Sequence, residues 1–340
     1  MRVMVTGGTG FVGSHTVRAF VEAGHSVRLL VRDREKVRRV FDPCGVAIPE
    51  SDVIVGDIAD ADRVGEALAG CDAAFHGAAL VDLRRKFAQR VLATNARGVD
   101  LVIGGAARLG LPSIVYVSSI AIFFYPGSPP LRLDMPVAQA STAYAQSKAD
   151  AEHVVRRFQA GGAPIRVSYP TGIIGPDDPE MSDANHALYS WYVDTGIDTS
   201  GFFQITDVRD LAALHLRQLE LPEGAHRHVA AGPRLTWRET YELLDELTGG
   251  RVRRIPINGR VLRAFGSVGD VIKRVYDFNL PITRDAMEYA TGWPGVDGSE
   301  TTEQLGIEFR SAATTYADTL RWMYRAGHLE AKHVGRLADG

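Results

Sequence analysis

The sequence contains little cysteine and no long apolar run. Two cysteines, Cys44 and Cys71, stand among 340 residues. They are too few for a disulfide framework or a cysteine-based zinc site, so we expect two free thiols in a reducing compartment. No stretch approaches the roughly 18 apolar residues that a membrane helix needs. The most apolar one, residues 113–125, is shorter and contains serines.

The sequence also has little net charge and lacks the pattern of a targeting segment. The chain turns to glycine at Gly7 without the apolar core of a signal peptide, and we therefore expect a cytoplasmic protein. With 38 basic and 41 acidic residues the net charge is −3. No global positive field draws such a chain to nucleic acid or to a membrane, and we expect neither as a partner.

The composition is that of a folded chain, with an excess of glycine at 35 of 340 residues. Hydrophobic residues make up 45% and charged residues 23%, close to the globular average. In the first half, short apolar runs alternate with amphipathic segments, which predicts a doubly wound parallel sheet in an α/β fold. The predicted strands are residues 2–5, 26–31, 52–55, 73–75, 113–117 and 165–169. The predicted helices include residues 14–23, 143–158 and 208–219, and residues 236–330 indicate a smaller, mostly helical C-terminal lobe.

A glycine-rich turn, residues 6–13, follows the first predicted strand and opens the first helix. In this setting glycines allow a tight turn, a close approach of the backbone to a pyrophosphate, and packing of the helix on the strand. Free N–H groups and the helix dipole then bind the anion. We predict a dinucleotide site there, and its cofactor-binding residues are Gly7, Thr9, Gly10, Phe11, Val12 and Gly13.

The end of the second strand distinguishes NAD from NADP, because an acid there binds a free ribose and a basic residue accepts a 2′-phosphate. Val31 stands where the acid is expected, and Arg32 and Lys36 follow, which favours NADP(H) over NAD(H). The open alternative is that Arg32 is solvated and Asp33 binds a plain ribose. Further cofactor contacts are predicted after the third and fourth strands, although these residues could equally be loop and packing positions: Asp57, Ile58, Ala78 and Ala79.

Tyr144 and Lys148 form a YxxxK pattern at the start of a predicted helix, which puts both side chains on one face. A nearby ammonium favours the phenolate, so such a tyrosine can exchange a proton with a carbonyl or alcohol. Ser119, at the carboxyl end of the fifth strand, could polarise the substrate oxygen. We predict Ser119, Tyr144 and Lys148 as catalytic residues. Tyr144 and Lys148 also belong to the predicted cofactor site, to which we add Pro170 and Thr171 after the sixth strand.

These motifs resemble those of the extended short-chain dehydrogenases/reductases, the NAD-dependent epimerase/dehydratase family, and within it the branch of dihydroflavonol reductases and 3β-hydroxysteroid dehydrogenases. The resemblance covers nearly the whole chain. Together with the pattern along the chain, it implies a Rossmann domain over residues 1–170, completed by about 206–232, and a substrate lobe over residues 171–205 and 233–330. The composition of residues 331–340 predicts a polar tail. The resemblance also implies a Ser119–Tyr144–Lys148 triad, a structural or proton-relay role for Asn95, and a possible homodimer.

Departures from the family pattern argue against two of the activities found in the family, namely dehydration and epimerisation of nucleotide sugars. Ile120 and Ala121 follow Ser119 where nucleotide-sugar dehydratases carry Asp-Glu, and the loop after the sixth strand lacks the asparagine of sugar epimerases. Aromatic residues that could line an apolar pocket, or equally form core, occur at residues 123–125, 189, 191–192 and 202–203. His226 and His228 are too few for a metal site, so no metal is expected.

The leading hypothesis is an NADP(H)-dependent oxidoreductase that interconverts a small hydrophobic ketone or aldehyde and its alcohol. Two alternatives stay open. One is a nucleotide-sugar 4-epimerase that retains NAD through turnover, and the other is a non-catalytic NADP-sensing protein.

Overall fold

A computed structural model describes residues 1–80, 85–139, 143–273 and 283–339 of the chain. Within these ranges the strands are β1 (Arg2–Thr6), β2 (Ser26–Val31), β3 (Val53–Val55), β4 (Ala73–His76), β5 (Ser113–Val117), β6 (Ile165–Pro170), β7 (Gly172–Ile174), β8 (Gly196–Asp198), β9 (Phe202–Asp207), β10 (His226–Ala230), β11 (Arg234–Thr236) and β12 (Arg254–Pro256).

The helices in the same ranges are α1 (Phe11–Glu22), α2 (Arg34–Phe41), α3 (Ala61–Leu68), α4 (Ala88–Arg108), α5 (Ala143–Ala160), α6 (Asp183–Val193), α7 (Val208–Glu220), α8 (Trp237–Thr248), α9 (Gly259–Lys273), α10 (Arg284–Gly292), α11 (Ser299–Leu305), α12 (Ala312–Arg325) and α13 (Ala331–Val334). Short 3₁₀ turns cover Asp42–Cys44, Glu50–Asp52, Arg85–Phe87, Ile120–Phe123 and Gly335–Asp339.

The central sheet is parallel, with the strand order β10-β6-β5-β4-β1-β2-β3. The chain runs outward from β1 through β2 to β3 and then returns to place β4 on the other side of β1. This reversal puts a topological switch point, where open α/β sheets bind their ligands, at the carboxyl ends of β1 and β4. The predicted doubly wound parallel sheet is confirmed.

Helices cover both faces of this sheet because alternate strand residues point to opposite sides. Met4 packs into a cluster with apolar residues of α3, α4 and α5, while its neighbours Val3 and Val5 pack with residues of α1, α2 and α7. Every residue of β1 except Arg2 is buried. This two-sided burial explains why the strands appear in the sequence as nearly continuous apolar runs.

The C-terminal residues build a second, largely helical layer around two small sheets, β11-β9-β7 and β12-β8. Its core contains Ile174, Trp237, Tyr241, Tyr316 and Leu320. Strand β10 lies between β9 and β11 in the sequence, but it pairs in parallel with β6 at the edge of the central sheet. The division of the chain into a cofactor domain and a substrate lobe stays a prediction.

Two segments differ from their predicted form. Asp52, expected to begin the third strand, lies in the 3₁₀ turn before β3, where its carboxylate pairs with Arg2 and, at 3.8 Å, with Arg28. Residues 331–339, for which we expected a polar tail, include α13 and bury Val334 and Leu337 against the core around α8 and α12. Apolar residues spaced three apart in a short polar segment were too weak a signal to predict this packing.

Candidate active site

The turn between β1 and α1 is shaped by contacts that leave no room for side chains. Gly7 has φ +74°, and a Cβ on it would lie 2.6 Å from the Ala78 backbone nitrogen. A Cβ on Gly13 would overlap the Gly7 carbonyl. Gly10 donates to the Gly7 carbonyl at 3.0 Å and caps α1 without any side-chain hydrogen bond. The first N–H groups of α1 are therefore not taken up by a capping side chain, as an anion site requires.

A cleft of about 260 Å³ opens beside this turn at the switch point. It brings together nine of the predicted cofactor residues: Gly7, Thr9, Gly10, Arg32, Lys36, Asp57, Ile58, Ala78 and Ala79. Apart from Lys36, which lies on α2, these residues follow the carboxyl ends of β1, β2, β3 and β4, so one groove connects the glycine turn to the residues that follow β2. The glycine cradle and the groove beside it fit a dinucleotide.

The residues after β2 occupy distinct positions around the cleft. Arg32 is exposed, lines the cleft and forms no ion pair within the described ranges. Asp33 instead caps α2, where its carboxylate accepts from the Glu35 N–H at 2.9 Å and pairs with Arg39 at 2.8 Å. Lys36 reaches across the cleft to Glu180, with 2.6 Å between the ammonium and the carboxylate. Asp33 is therefore engaged with residues of α2, whereas Arg32 lines the cleft.

The remaining cofactor candidates lie outside the walls of this cleft. Phe11 stacks edge-on against His15 with ring centroids 5.8 Å apart, and Val12 packs beside an apolar cluster of α7. Thr171 is buried, and its hydroxyl shares a hydrogen bond of 2.8 Å with Thr206. Pro170 ends β6. Contacts of these residues with a cofactor stay predictions.

The three predicted catalytic residues lie on two adjoining elements. Tyr144 and Lys148 sit one turn apart on α5, and the Lys148 ammonium donates to the Val117 carbonyl at 2.9 Å. Val117 ends β5, and Ser119 follows two residues later. The Ser119 hydroxyl accepts from the Ala121 N–H at 3.3 Å and so starts a 3₁₀ turn. Within the described residues no hydrogen bond joins Ser119 to Tyr144.

Burial changes the pKa values of Tyr144, Lys148 and the neighbouring His76. It raises the pKa of Tyr144 to about 12, with a smaller contribution from the Asp183 carboxylate, and lowers the pKa of Lys148 to about 8. The expectation that the nearby ammonium favours the phenolate is therefore wrong for this structure, because burial outweighs it. Burial and the neighbouring Lys148 ammonium lower the pKa of His76 to about 3. At neutral pH the phenol therefore holds its proton, the lysine is mostly charged and His76 is neutral. The protonated phenol is the form that can donate to a carbonyl oxygen.

Asn95 connects the loop after β4 to α5. Its side-chain oxygen accepts from the Leu80 N–H at 2.7 Å, and its amide nitrogen donates to the Leu80 carbonyl at 3.0 Å and to the Ser147 hydroxyl at 2.9 Å. Ser147 in turn donates to the Tyr144 carbonyl at 2.7 Å. This buried chain fixes the first turn of α5, which supports the structural role among the two considered for Asn95.

A mostly apolar cavity of about 190 Å³ lies beside α5 and the segment that follows β5, and its described walls also include the polar residues Gln139, Asp285 and Glu288. Ala121 and Phe124 line it from the segment after Ser119, Ala145 and Ala149 from α5, and Tyr289 from α10. Phe124 and Tyr289 contact each other at 5.4 Å between ring centroids. The cavity thus connects the carboxyl end of β5 to the C-terminal layer.

The other aromatic candidates have different surroundings. Phe123 is fully buried in the core of the sheet domain. Trp191 and Phe203 stack at right angles, 5.1 Å apart, among core residues of the C-terminal layer, and Tyr189 and Tyr192 pack against the same core. These residues stabilise the fold, whereas Phe124 and Tyr125 face the cavity.

Sequence reasoning missed several residues of the cofactor cleft. Gly77 directly follows β4, and its position at a strand end was a usable signal. Arg90 and Thr94 share one face of α4 and line the cleft, but no motif marks them. Glu180 arrives from a loop far along the chain. No local pattern could have placed a carboxylate from that loop beside Lys36.

A family comparison agrees with this geometry. Residues 3–232 match the model of the NAD dependent epimerase/dehydratase family. The chain belongs to this family, which confirms the predicted resemblance to the extended short-chain dehydrogenases/reductases, and its relatives are oxidoreductases and epimerases that use a nicotinamide dinucleotide.

Curated relatives extend over the full length at low identity. The chain is 26% identical over 342 residues to sterol demethylase protein B of Methylococcus capsulatus, covering 96% of this chain and 99% of that protein. It is 28% identical over 342 residues to 4-hydroxy-2-methyl-3-oxo-4-farnesyl-3,4-dihydroquinoline-1-oxide ketoreductase of Stigmatella aurantiaca, covering 98% and 99%. A 3-beta-hydroxysteroid dehydrogenase of Mycolicibacterium neoaurum is 35% identical over 127 residues, 36% of this chain and 32% of that protein.

Solved structures share the fold. A UDP-glucose 4-epimerase from Bifidobacterium longum, in complex with NAD+ and UDP, is similar with a TM-score of 0.72 at 16% identity, covering 96% of this chain and 98% of the other. The crystal structure of gox2253 is similar with a TM-score of 0.79 at 24% identity, covering 96% and 99%. In the described residues no helix is long and apolar enough to cross a membrane.

Proposed function

We propose that this protein is an NADP(H)-dependent oxidoreductase that interconverts a hydrophobic ketone or aldehyde and its alcohol. The observation that carries the proposal is the contact between helix α5 and the carboxyl end of strand β5. There the Lys148 ammonium binds the Val117 carbonyl, two residues before Ser119 and one turn from Tyr144. A dinucleotide held at the glycine turn would supply or accept hydride.

The side chains of this site handle the oxygen and its proton. Tyr144, whose pKa is raised to about 12, holds the proton that a carbonyl oxygen takes up on reduction. Lys148, one turn further along α5, would supply the positive charge that favours the phenolate remaining after this transfer. Ser119 would hold the substrate oxygen by a hydrogen bond from its hydroxyl. In the direction of oxidation the same groups take the proton back.

The proposed substrate class is supported by the mostly apolar cavity that lies beside the segment after Ser119 and the start of α5. Ser119, Tyr144 and Lys148 are not among the described residues that line it. Its described walls include alanine and aromatic side chains, namely Ala121, Phe124, Ala145, Ala149 and Tyr289. A cavity lined in this way binds apolar surface and leaves orientation to a few polar groups. The relatives named for a farnesylated dihydroquinoline and for a hydroxysteroid suggest the same class.

The preference for NADP(H) rests on Arg32. This guanidinium is exposed at the cleft without an ion pair among the described residues, whereas Asp33 caps α2. A guanidinium binds phosphate by charge-assisted hydrogen bonds, each contributing about 1.5–3 kcal/mol. We expect Arg32→Ala to weaken NADPH binding by about ten- to a hundredfold and to leave NADH binding unchanged. Arg38→Ala is the control, because Arg38 is an exposed arginine on the neighbouring helix α2 that is not among the described residues lining the cleft.

The function is tested by following NADPH and NADH oxidation against a panel of apolar ketones and against UDP-sugars. We expect turnover with NADPH and an apolar ketone. We expect Tyr144→Phe to lose about 10²–10⁴-fold of this turnover at unchanged cofactor affinity, while Tyr324→Phe, in the C-terminal layer, keeps it. Tightly bound NAD with interconversion of UDP-sugars would establish the epimerase instead, and binding of NADPH without any turnover would favour the sensing protein.

A further inference from the structure

Helix α9 carries its large apolar side chains on the outside. Six of the ten large apolar residues that the described ranges expose fall within residues 255–272. On α9 the exposed positions include Val261 (48% exposed), Phe265 (61%), Val268 (56%) and Ile272 (47%). Their spacing of four, three and four residues places them in one stripe along the helix. The 15-residue helix is about 22 Å long, and the stripe from Val261 to Ile272 covers about 16 Å of it.

The inner face of α9 explains why this stripe points outward. The helix faces its neighbours with Gly259, Leu262, Gly266 and Gly269, all buried. A Cβ on Gly266 would lie 2.6 Å from the Thr283 carbonyl and 2.8 Å from the Met287 side chain. Because only glycine fits this contact, rotation of the helix to bury Phe265 would insert a side chain where none can be placed. The outward orientation is therefore imposed by packing.

Charge around the stripe differs from that of the chain as a whole. Residues 249–273 contain six basic residues and one acid, although the protein carries a net charge of −3. The acid, Asp270, is half-buried and accepts from the Arg284 N–H at 3.1 Å. Arg251, Arg253 and Arg260 are exposed and form no ion pair with any described residue. The free charges of this segment are thus positive.

We propose that the outer face of α9 docks on an anionic membrane surface. Val261, Phe265, Val268 and Ile272 would enter the boundary between headgroups and acyl chains, and Arg260 would lie among the headgroups. An apolar face and a positive charge together are the two contributions that give an interfacial helix measurable binding. The helix lies on the bilayer and does not cross it. The sequence-based expectation of no membrane partner considered only the net charge, which hides this local excess.

A second copy of the chain fits the face less well. A twofold contact through α9 would bring the same surface of both subunits together, and with it the unpaired Arg260 of each subunit. Like charges set against each other disfavour that arrangement. An anionic bilayer neutralises the arginines and covers the apolar stripe at the same time. The inference does not depend on the proposed reaction.

The test is sedimentation of the full chain with vesicles of phosphatidylcholine alone or with one quarter phosphatidylglycerol. We expect binding to the anionic vesicles, little binding to the neutral ones, and release in 0.5 M salt. Phe265→Ser with Val268→Ser should lower the bound fraction at least tenfold, and Arg260→Ala should lower the partition coefficient about fivefold. Leu109→Ser, which changes a side chain 60% exposed at the end of α4, should have no effect.

Thermal melting and circular dichroism establish that the variants are folded, which is expected because the replaced side chains are largely exposed. The proposal is overturned if wild-type protein does not bind anionic vesicles, or if the double variant binds them as well as wild type. It is also overturned if light scattering shows a dimer that the double variant converts to a monomer, because a second copy then covers the face.

Discussion

Gly7→Ala tests whether the turn after β1 is shaped for a dinucleotide. Gly7 has φ +74°, so alanine there costs about 1–2 kcal/mol for the left-handed backbone alone. Its Cβ would lie 2.6 Å from the Ala78 nitrogen, whereas ordinary contacts begin at 3.4 Å. The strand ends of β1 and β4 must then separate by about 0.8 Å, and overpacking of this kind costs a further 1–3 kcal/mol or so.

Gly70→Ala is the matched control. Gly70 lies in the turn before β4 with φ +68°, and a Cβ there meets nothing within 4 Å. The two variants share the backbone cost, and only Gly7→Ala widens the cleft. We expect Gly70→Ala to lose about 1–2 kcal/mol of the free energy of unfolding and to bind cofactor as wild type does.

The assay is isothermal titration with NADPH and NADH, alongside urea unfolding. The turn would bind the pyrophosphate through close approach of its backbone. Since a hydrogen bond to a charged group contributes about 1.5–3 kcal/mol, we expect the cofactor affinity of Gly7→Ala to fall by about ten- to a hundredfold. Unchanged affinity in a folded Gly7→Ala protein would refute the assignment of this turn to the cofactor.

Three further predictions concern charged groups near the site. Burial lowers the pKa of Lys148 from 10.5 to about 8, so the unfolded chain binds more protons between these values and stability rises with pH there. The resulting rise in the free energy of unfolding reaches about 3 kcal/mol and should be absent in Lys148→Met. If the free energies of unfolding of the two proteins changed with pH in parallel, this prediction would be contradicted. Glu152→Leu leaves Arg227 without its buried carboxylate and should cost about 3–5 kcal/mol in urea unfolding; a loss below about 1 kcal/mol would contradict this. Glu180→Gln frees Lys36 in the cleft and should strengthen NADPH binding about two- to fivefold by titration; weaker binding would show that Glu180 helps to hold the cofactor.

The central sheet was predictable because its strands are buried on both faces. Residues 26–31 and 113–117 were predicted with the bounds that β2 and β5 have, and the others differ by one residue at an end. Where a continuous apolar run is bounded by glycine or polar turn residues, the first and last residue of the strand can be predicted closely. The three-stranded and two-stranded sheets were not predicted, because β8, β11 and β12 have three residues each and pair with distant segments.

The candidate site was predictable where local geometry demands a residue type. The glycine turn and the spacing of Tyr144 and Lys148 follow from backbone constraints within one or two turns of chain. Glu180 and the exposed face of α9 depend on how loops and helices pack, which no local pattern encodes. Arg32 was predicted as a ligand from its place after β2, and although it lines the cleft, its contact with a cofactor stays a prediction.

The central claim, reduction of an apolar carbonyl with a proton from Tyr144, is tested most directly by isotope transfer. Wild-type protein and Tyr144→Phe are incubated with an apolar ketone and NADPH deuterated at C4, and the product is analysed by mass spectrometry. We predict one deuterium on the carbinol carbon with wild type and at least a hundredfold slower labelling with the variant. Equal labelling by both proteins, or no labelled alcohol from any ketone while UDP-sugars are epimerised, would contradict the account.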